Sequence, residues 1–497
     1  MPIHSLTSIR MCLMSLAVTL CFTGHSRAFI IDPADNPWLT TASGNRAANG
    51  LPATLTWGFV SDGTTILDSA TSLGGSDLIA NFNTSFSGDP GETDHRLQPW
   101  FGYFEDSFQR WSDLSGLTYL YEPNDSGQAL STVSGVLNVR ADIRIGGASV
   151  DGSSGTLAFN YFPDNGDMVL DTDDMAFFSN ASGQHVRLRN TVMHEVGHGL
   201  GYEHVESNTD ALLMEPFIST AFDGPQLDEV RAAHYYYGDV HEKTNGGSGN
   251  GMFSLATSLG TILESETASI GVDADIPTQA IALDDIDFVS VSNTNDIDYF
   301  SFTVTEASTI DLQLKPLGGL FNQSSQGATP TPFDASARAD LSLSLWDTNG
   351  TTLLATIDAL PAGGIESILD FELPAGGEYF ASITTTTDTV QLYRLDISVQ
   401  DVPDPIIGDL DGDGFVGIDD LNIVLTDWNQ TVPPADPLAD PSGDNFVGIE
   451  DLNVVLGNWN AGALPSESAN IPEPGSIVLL ISCSFWLSLR RIMPQRS

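Results

Sequence analysis

The sequence predicts a multidomain chain: an α+β domain first, an all-β sandwich second and a small α-helical module last. Three observations carry this. The run His194-Glu195-Val196-Gly197-His198-Gly199-Leu200-Gly201-Tyr202-Glu203-His204 sets metal-ligand chemistry on a helix preceded by strand-like and helix-like segments. Between Met252 and Gln400, helical periodicity is rare and short runs of β-formers alternate with turn residues. From Asp409, an aspartate- and glycine-rich loop pattern starts again at Asp440, and each copy leads into an apolar helical run. A chain of 497 residues exceeds what one core organises. The boundaries read as 29–240, 252–400 and 401–463, with a polar linker over 241–251.

In the first domain, Ala53 to Val60 alternates β-formers and reads as an opening edge strand. Phe101, Phe104, Phe108, Trp111 and Leu114 recur at spacings of three and four, so an amphipathic helix with an aromatic core face is expected. Leu117–Tyr121 and Val136–Ile145 read as strands, and Gln184–Thr191 as a lead-in to the metal helix. On that helix His194 and His198 are one turn apart and share a face. Glu195 lies beside them, within reach of a metal-bound water. Gly201 lets the chain turn back and return His204 as third ligand. Three neutral imidazoles leave a fourth zinc position open, the catalytic arrangement.

The eleven-residue pattern is the signature of the metzincin metalloproteases, and its surroundings resemble the matrixin branch. Phe104–Leu120 and Ala141-Asp142-Ile143 resemble that family's first helix and third strand. The resemblance implies one catalytic Zn2+ held by His194, His198 and His204, with Glu195 as general base. It implies a methionine turn at Met214, whose side chain floors the imidazoles without binding metal. It also implies structural Ca2+ on Asp151, Asp171 and Asp174, in a glycine-rich acidic stretch suited to an oxygen-seeking ion. An ordinary acidic turn is the alternative. Phe159 and Val169 stand where many matrixins carry histidines for a second zinc, and no histidine lies between Val136 and Thr172, so one zinc is expected. No cysteine lies between Ala28 and Ser482, which excludes latency by a thiolate on the zinc. Gln226–Gly238 resembles the closing helix, and His234 and His241 read as surface or capping residues.

The runs DIDYFSFTV, ADLSLSLWDTNG, ELPAGGEYFASI and YRLDISV in 252–400 resemble the pre-peptidase C-terminal domain of secreted proteases, with Gly318–Ala335 as an inserted loop. That likeness implies surface or substrate association; a passive spacer is the alternative. In the last module, Asp409, Asp411, Asp413, Phe415 and Asp420 fit the ligand positions of an EF-hand loop, Phe415 through its carbonyl. Asp440, Ser442, Asp444, Phe446 and Asp451 repeat it, with Asn445 in the place of the turn glycine. Helices are expected over Leu421–Asn429 and Leu452–Asn460. The pair resembles a type I dockerin, which implies calcium binding and a cohesin-like partner. Ile418-Asp419 and Ile449-Glu450 replace the small hydroxyl pair of cellulosomal dockerins, so a cellulosomal partner is not expected.

The chain carries 17 Lys+Arg against 66 Asp+Glu, a net charge of -49, which disfavours nucleic acid and suits an exported, calcium-rich protein. Residues 1–28 have a basic flank, an apolar run from Met11 to Phe22 and a small-residue exit, the pattern of a secretory signal peptide. Cys12, Cys21 and Cys483 all lie in terminal segments, so no disulfide is expected in the domains. Over 464–497, Pro472-Glu473-Pro474, an apolar run and Arg490-Arg491 resemble the PEP-CTERM sorting signal of Gram-negative bacteria. This implies an exosortase-type partner, transient membrane contact and an extracellular or cell-surface location; a plain C-terminal anchor is the alternative. Together these readings predict a secreted zinc endopeptidase of protein or peptide substrates. The competing reading is a calcium-dependent surface scaffold with an inactive protease-like domain.

Overall fold

The computed structural model describes residues 29–32, 34, 37–68, 71–209, 211–276, 280–400 and 406–462. The expected signal over 1–28 and the sorting segment with Pro472, Glu473 and Pro474 lie outside the described residues. Contacts divide the chain into two compact units, one ending at Asp401 and one beginning at Val402.

The first unit opens with a small hairpin, β1 (Thr40–Thr41) and β2 (Gly44–Asn45), followed by β3 (Ala53–Phe59), β4 (Thr65–Asp68), β5 (Thr71–Gly75) and α1 (Leu78–Phe86). Next come α2 (Phe101–Asp113), β6 (Leu117–Tyr121), β7 (Ile143–Ala148), β8 (Ala158–Asn160), β9 (Met168–Asp171) and a single turn, α3 (Met175–Phe178). The metal helix α4 (Val186–Gly199), β10 (Val205–Ser207) and α5 (Leu227–Tyr237) complete the domain. Its main sheet has the order β6-β3-β7-β9-β8, parallel except for β8. The alternate residues Leu55, Trp57 and Phe59 of β3 join Phe101, Phe104, Phe108 and Trp111 of α2 and Leu188, Val192 and Val196 of α4 in one core. Trp57 stacks on Phe108 at 4.6 Å between ring centroids. Each such buried aromatic contributes on the order of 1.5–3 kcal/mol, so α2 and α4 are held against the sheet by this stripe.

Several expectations change here. Alternation shows that β3 has a buried face but not who its neighbours are; it lies between β6 and β7, and β6 is the edge. Of Val136–Ile145 only the last residues are strand, because Val136 and Arg140 close a tight turn onto each other. The helix α4 starts at Val186, inside the expected lead-in.

The second half of this unit contains β11 (Thr257–Thr261), β12 (Thr267–Ile270), β13 (Val289–Val291), β14 (Asp298–Val304), β15 (Ser308–Leu317), β16 (Leu320–Ser325) and β17 (Thr331–Asp334). It continues with β18 (Leu341–Trp346), β19 (Leu353–Ile357), β20 (Glu366–Leu373), β21 (Gly377–Thr385) and β22 (Gln391–Val399). Two sheets, β11-β14-β21-β18-β19 and β12-β22-β15-β20 with β13 on β22, bury alternate residues such as Phe300, Phe302, Ile310, Leu312, Leu343 and Ile397 in a common core. The segment Gly318–Ala335 is no simple loop: β16 and β17 form a hairpin, and β16 pairs with β10 of the catalytic region.

The two halves are joined through a polar, buried junction. Arg110 of α2 donates to the carbonyls of Ala282, Leu283 and Asp285 at 2.8–3.0 Å. His234 is fully buried there, bonded to Leu114 O at 2.8 Å and Ser290 Oγ at 2.9 Å, and so is not a surface histidine. Residues 241–251 form hydrogen-bonded turns rather than a free tether. Their glycines supply left-handed turns, and Glu242 and Asn250 are buried. Asp239, Glu242 and Asp298 come together in this junction, all buried. Burial and the neighbouring Asp239 charge hold the Glu242 carboxyl far above its ordinary value, and burial raises Asp296 to about 7.

In the second unit, α6 (Ile418–Thr426) and α7 (Ile449–Gly457) follow the two aspartate-rich loops. Each begins three residues before its expected start. The last acid of each loop, Asp420 or Asp451, turns back to accept the backbone N–H of Gly417 or Gly448 at 2.7 Å and so caps the helix it belongs to. Strand-like bridges Phe415–Gly462 and Thr431–Phe446 tie each loop to the end of the other helix, around buried Val416, Val424, Val447 and Val455.

Candidate metal centre

The helix α4 is rigidly seated before it reaches the histidines. Trp111 Nε1 donates to Met193 O at 3.1 Å. Asn190 donates to Ser219 O and Phe222 O and accepts from Gly224 N, holding the segment after Met214 against the helix. The helix ends at Gly199, whose carbonyl accepts from Trp38 Nε1 at 2.6 Å. Gly201, with φ of +102°, then reverses the chain, a conformation that a side chain at Cβ disfavours. The returning segment is held from outside by Ile30–Asp32, since Glu203 N donates to Ile30 O and Asp32 N to Gly201 O, both at 2.9 Å.

This path brings His194, His198 and His204 together. The Nε2 atoms of His194 and His198 each lie 3.2 Å from His204 Nε2. For Zn–N bonds of about 2.0–2.1 Å, tetrahedral ligands stand about 3.3 Å apart, so the spacing suits zinc. The opposite ring nitrogens are all engaged: His194 Nδ1 with Leu213 O at 2.7 Å, His198 Nδ1 with Tyr202 O at 2.7 Å, and His204 Nδ1 with Gln326 Oε1 at 3.0 Å. A carbonyl oxygen only accepts, so Nδ1 carries the proton and Nε2 presents a lone pair. Three converging lone pairs repel unless a cation lies among them. Burial holds the His194 imidazole well below the usual histidine value and His198 down to about 4, so both stay neutral and able to ligate.

Glu195 is buried beside this centre, and its Oε2 has no hydrogen-bond partner. Burial raises its carboxyl to about 8. An unpartnered buried carboxyl is costly, and its place between two ligating histidines suits a group that exchanges a proton with a bound water. Met214 packs beneath, 2% exposed, and a Cβ added at Gly197 would stand on its sulfur. Glu229 Oε1 accepts from Met214 N at 3.0 Å and so anchors that turn from α5.

The three histidines and Glu195 line a cleft of about 710 Å³. One wall is the edge strand β8, and others are Pro216, Phe217 and Ile218 after the methionine turn and Gln326 from the β16–β17 hairpin. Gln326 is the residue that the sequence reading missed.

The proposed calcium trio is not assembled. Asp151 is exposed and turns its carboxylate to Thr156, Asp171 accepts from Asp151 N and Asp173 N, and Asp174 accepts from Ser154 N. Asp151 and Asp171 are engaged as turn-forming acceptors, Asp174 Oδ2 is buried without a hydrogen-bond partner, and the three form no common oxygen cluster among the described residues. The paired loops do cluster: Asp409, Asp411 and Asp420 in one, Asp440, Asp444 and Asp451 in the other, each with oxygens within 4.8 Å of one another. Asp413 and Ser442 are turned to local partners, Phe415 N and Asp440 Oδ1 respectively.

Residues 93–238 match the family model described as Matrixin. With the three converging imidazoles, this match supports a zinc-dependent hydrolase on a zinc-metalloprotease-like fold. A hatching enzyme of Paracentrotus lividus is 30% identical over 145 residues, which cover 29% of this chain and 22% of that protein. The chain thus matches only about a fifth of that relative's length. Among solved structures, the pre-peptidase C-terminal domain of a Bacillus anthracis collagenase is similar at 13% identity and a TM-score of 0.17, covering 29% of this chain and 96% of that one. The lysozyme inhibitor PliG of Aeromonas hydrophila is similar at 11% identity and a TM-score of 0.15, over 29% of this chain and all of that one.

Proposed function

We propose that this chain is a zinc-dependent endopeptidase that hydrolyses extended segments of extracellular proteins. The observation that carries the reading is the convergence of three Nε2 lone pairs beside the unpartnered Oε2 of Glu195 in an open cleft. When bound, zinc supplies Lewis acidity, lowering the pKa of a water and polarising a carbonyl. His194, His198 and His204 would hold it. The charge of the bound dication would favour the Glu195 carboxylate over its acid, and Oε2 would then take the proton of the attacking water and return it to the leaving amine. The edge strand β8 offers backbone groups against which a peptide can align as an added strand.

The remaining parts of the reading concern setting. Calcium in the two aspartate loops would draw their facing carboxylates together and stiffen the second unit, and the loop–helix pair would serve as a cohesin-like docking module. The residue patterns of 1–28 and 464–497 support export, exosortase-type sorting and a transient membrane contact, placing the activity at or outside the cell surface of a Gram-negative-type bacterium.

Glu195→Gln tests the core of this. The variant should keep its zinc while losing about 10²–10⁴ in the rate of casein cleavage, or ~3–5 kcal/mol of barrier. Retained cleavage with zinc bound refutes the assignment; no cleavage by the unaltered protein favours the scaffold.

A further inference from the structure

The three imidazoles are oriented by partners of two kinds. Those of His194 and His198 are backbone carbonyls close at hand, Leu213 O and Tyr202 O. That of His204 is a side chain 122 residues away, on the hairpin carried by the β-sandwich. We infer that Gln326 is a positioning residue for the third metal ligand, so the sandwich completes the metal centre rather than trailing behind it. The inference rests on the zinc reading above.

The register makes the placement. β10 and β16 are antiparallel, with Val205 opposite Ser325 and Ser207 opposite Gln323. One step further along this register sets residue 326 across from His204, where side chains of facing residues meet. Gly327, at a φ of +79°, begins the turn there, and its N–H donates to Glu206 Oε1 at 2.9 Å, pinning the hairpin tip to the metal loop. The hairpin base is pinned as well. Phe333 of β17 is buried with the guanidinium of Arg231 of α5 at 5.1 Å from its ring centre and that of Arg338 at 4.5 Å. His204 Nε2 faces the other two imidazoles, so its Nδ1 carries the proton and the amide must present oxygen. Accepting that proton fixes the tautomer and makes Nε2 a stronger donor to a metal. The same side chain forms part of the cleft wall.

The test uses the full chain with Gln326→Leu, which removes the acceptor, and Gln326→Glu, which keeps one. Three quantities are read: the zinc dissociation constant by competition with a chromophoric chelator, the visible absorption of the cobalt-substituted protein, and the melting of the metal-free protein. Loss of an outer partner of a metal ligand weakens metal binding about 10–100-fold. Gln326→Leu should do so and shift the cobalt bands while leaving metal-free melting unchanged, and Gln326→Glu should restore both. A leucine variant with the parent's zinc affinity and cobalt spectrum overturns the inference. So does a weakened leucine variant that the glutamate change does not rescue. A parent protein that takes up no zinc overturns the proposed function along with it, whereas parent zinc binding unaffected by leucine sinks the inference alone.

Discussion

Gly197 and Met214 can be exchanged for one another's space, and the energetics follow from their contact. A methyl group at position 197 would stand on Met214 Sδ and lie 3.1 Å from its Cε. Overpacking of this kind costs about 1–3 kcal/mol, while alanine in place of helical glycine returns about 1 kcal/mol. Gly197→Ala alone should therefore destabilise by roughly 0–2 kcal/mol. Met214→Ala empties a site only 2% exposed and should cost about 2–5 kcal/mol. In the double variant the new methyl enters the vacated volume, so the loss should fall short of the sum by about 1–3 kcal/mol. Denaturant unfolding followed by tryptophan fluorescence reads the cycle, since Trp38, Trp57, Trp100 and Trp111 are buried in the same core. Zinc retention across the four proteins reports whether the imidazoles keep their floor. Strict additivity would refute the argument that Gly197 is there to admit the methionine.

Two further outcomes follow from the buried carboxyls and the acidic loops. Among the buried acids, burial raises the folded values of Asp296 to about 7 and of Glu195 and Asp228 to about 8, and holds Glu242 and Asp298 well above their ordinary values. Such groups favour folding at low pH and oppose it as pH rises through the folded value, so metal-free protein should lose about 1.4 kcal/mol per pH unit for each carboxyl still protonated in the fold. Melting that does not fall between pH 7 and 8.5 would contradict this. Calcium should stabilise the second unit by about 2.7 kcal/mol per occupied loop at a hundredfold excess over the dissociation constant, and Asp409→Ala with Asp440→Ala should abolish the response. Equal shifts in the doubly substituted protein would remove these loops as the site.

What was legible in the sequence was local. The histidines at positions 194, 198 and 204 announce their geometry because helix pitch and one glycine turn suffice to bring them together. Strands β14, β18, β21 and β22 were readable from β-formers set between turns. What depended on partners distant in sequence was not. The alternation in β3 is the same for an edge as for an interior strand, and Thr- and Gly-rich β4 and β5 have no strong period. His234 sits on a helix of mixed polarity, and only packing from Ser290 shows it to be interior. The glycine, serine and asparagine of 242–251 suggest a tether, yet the burial of Glu242 and Asn250 is decided by residues of β14. Asp151, Asp171 and Asp174 are spaced like ion ligands, but their carboxylates take separate N–H groups of nearby turns and do not meet in one cluster among the described residues. Gln326 lay in a stretch without periodicity, and its neighbour is defined by a strand register between two domains.

The segment that returns His204 is held between Ile30 on one side and the β16–β17 hairpin on the other. Those holdfasts stand almost 300 residues apart along the chain. A ribosome releases the first of them early and the second only after the whole catalytic region has emerged. The metal loop is therefore finished last, by a contact of long sequence separation whose closure is slow relative to local helix and hairpin formation. On the proposed role of Gln326, a metal centre assembled in this order gains its full grip only when the companion domain has folded, a delay built into chain topology.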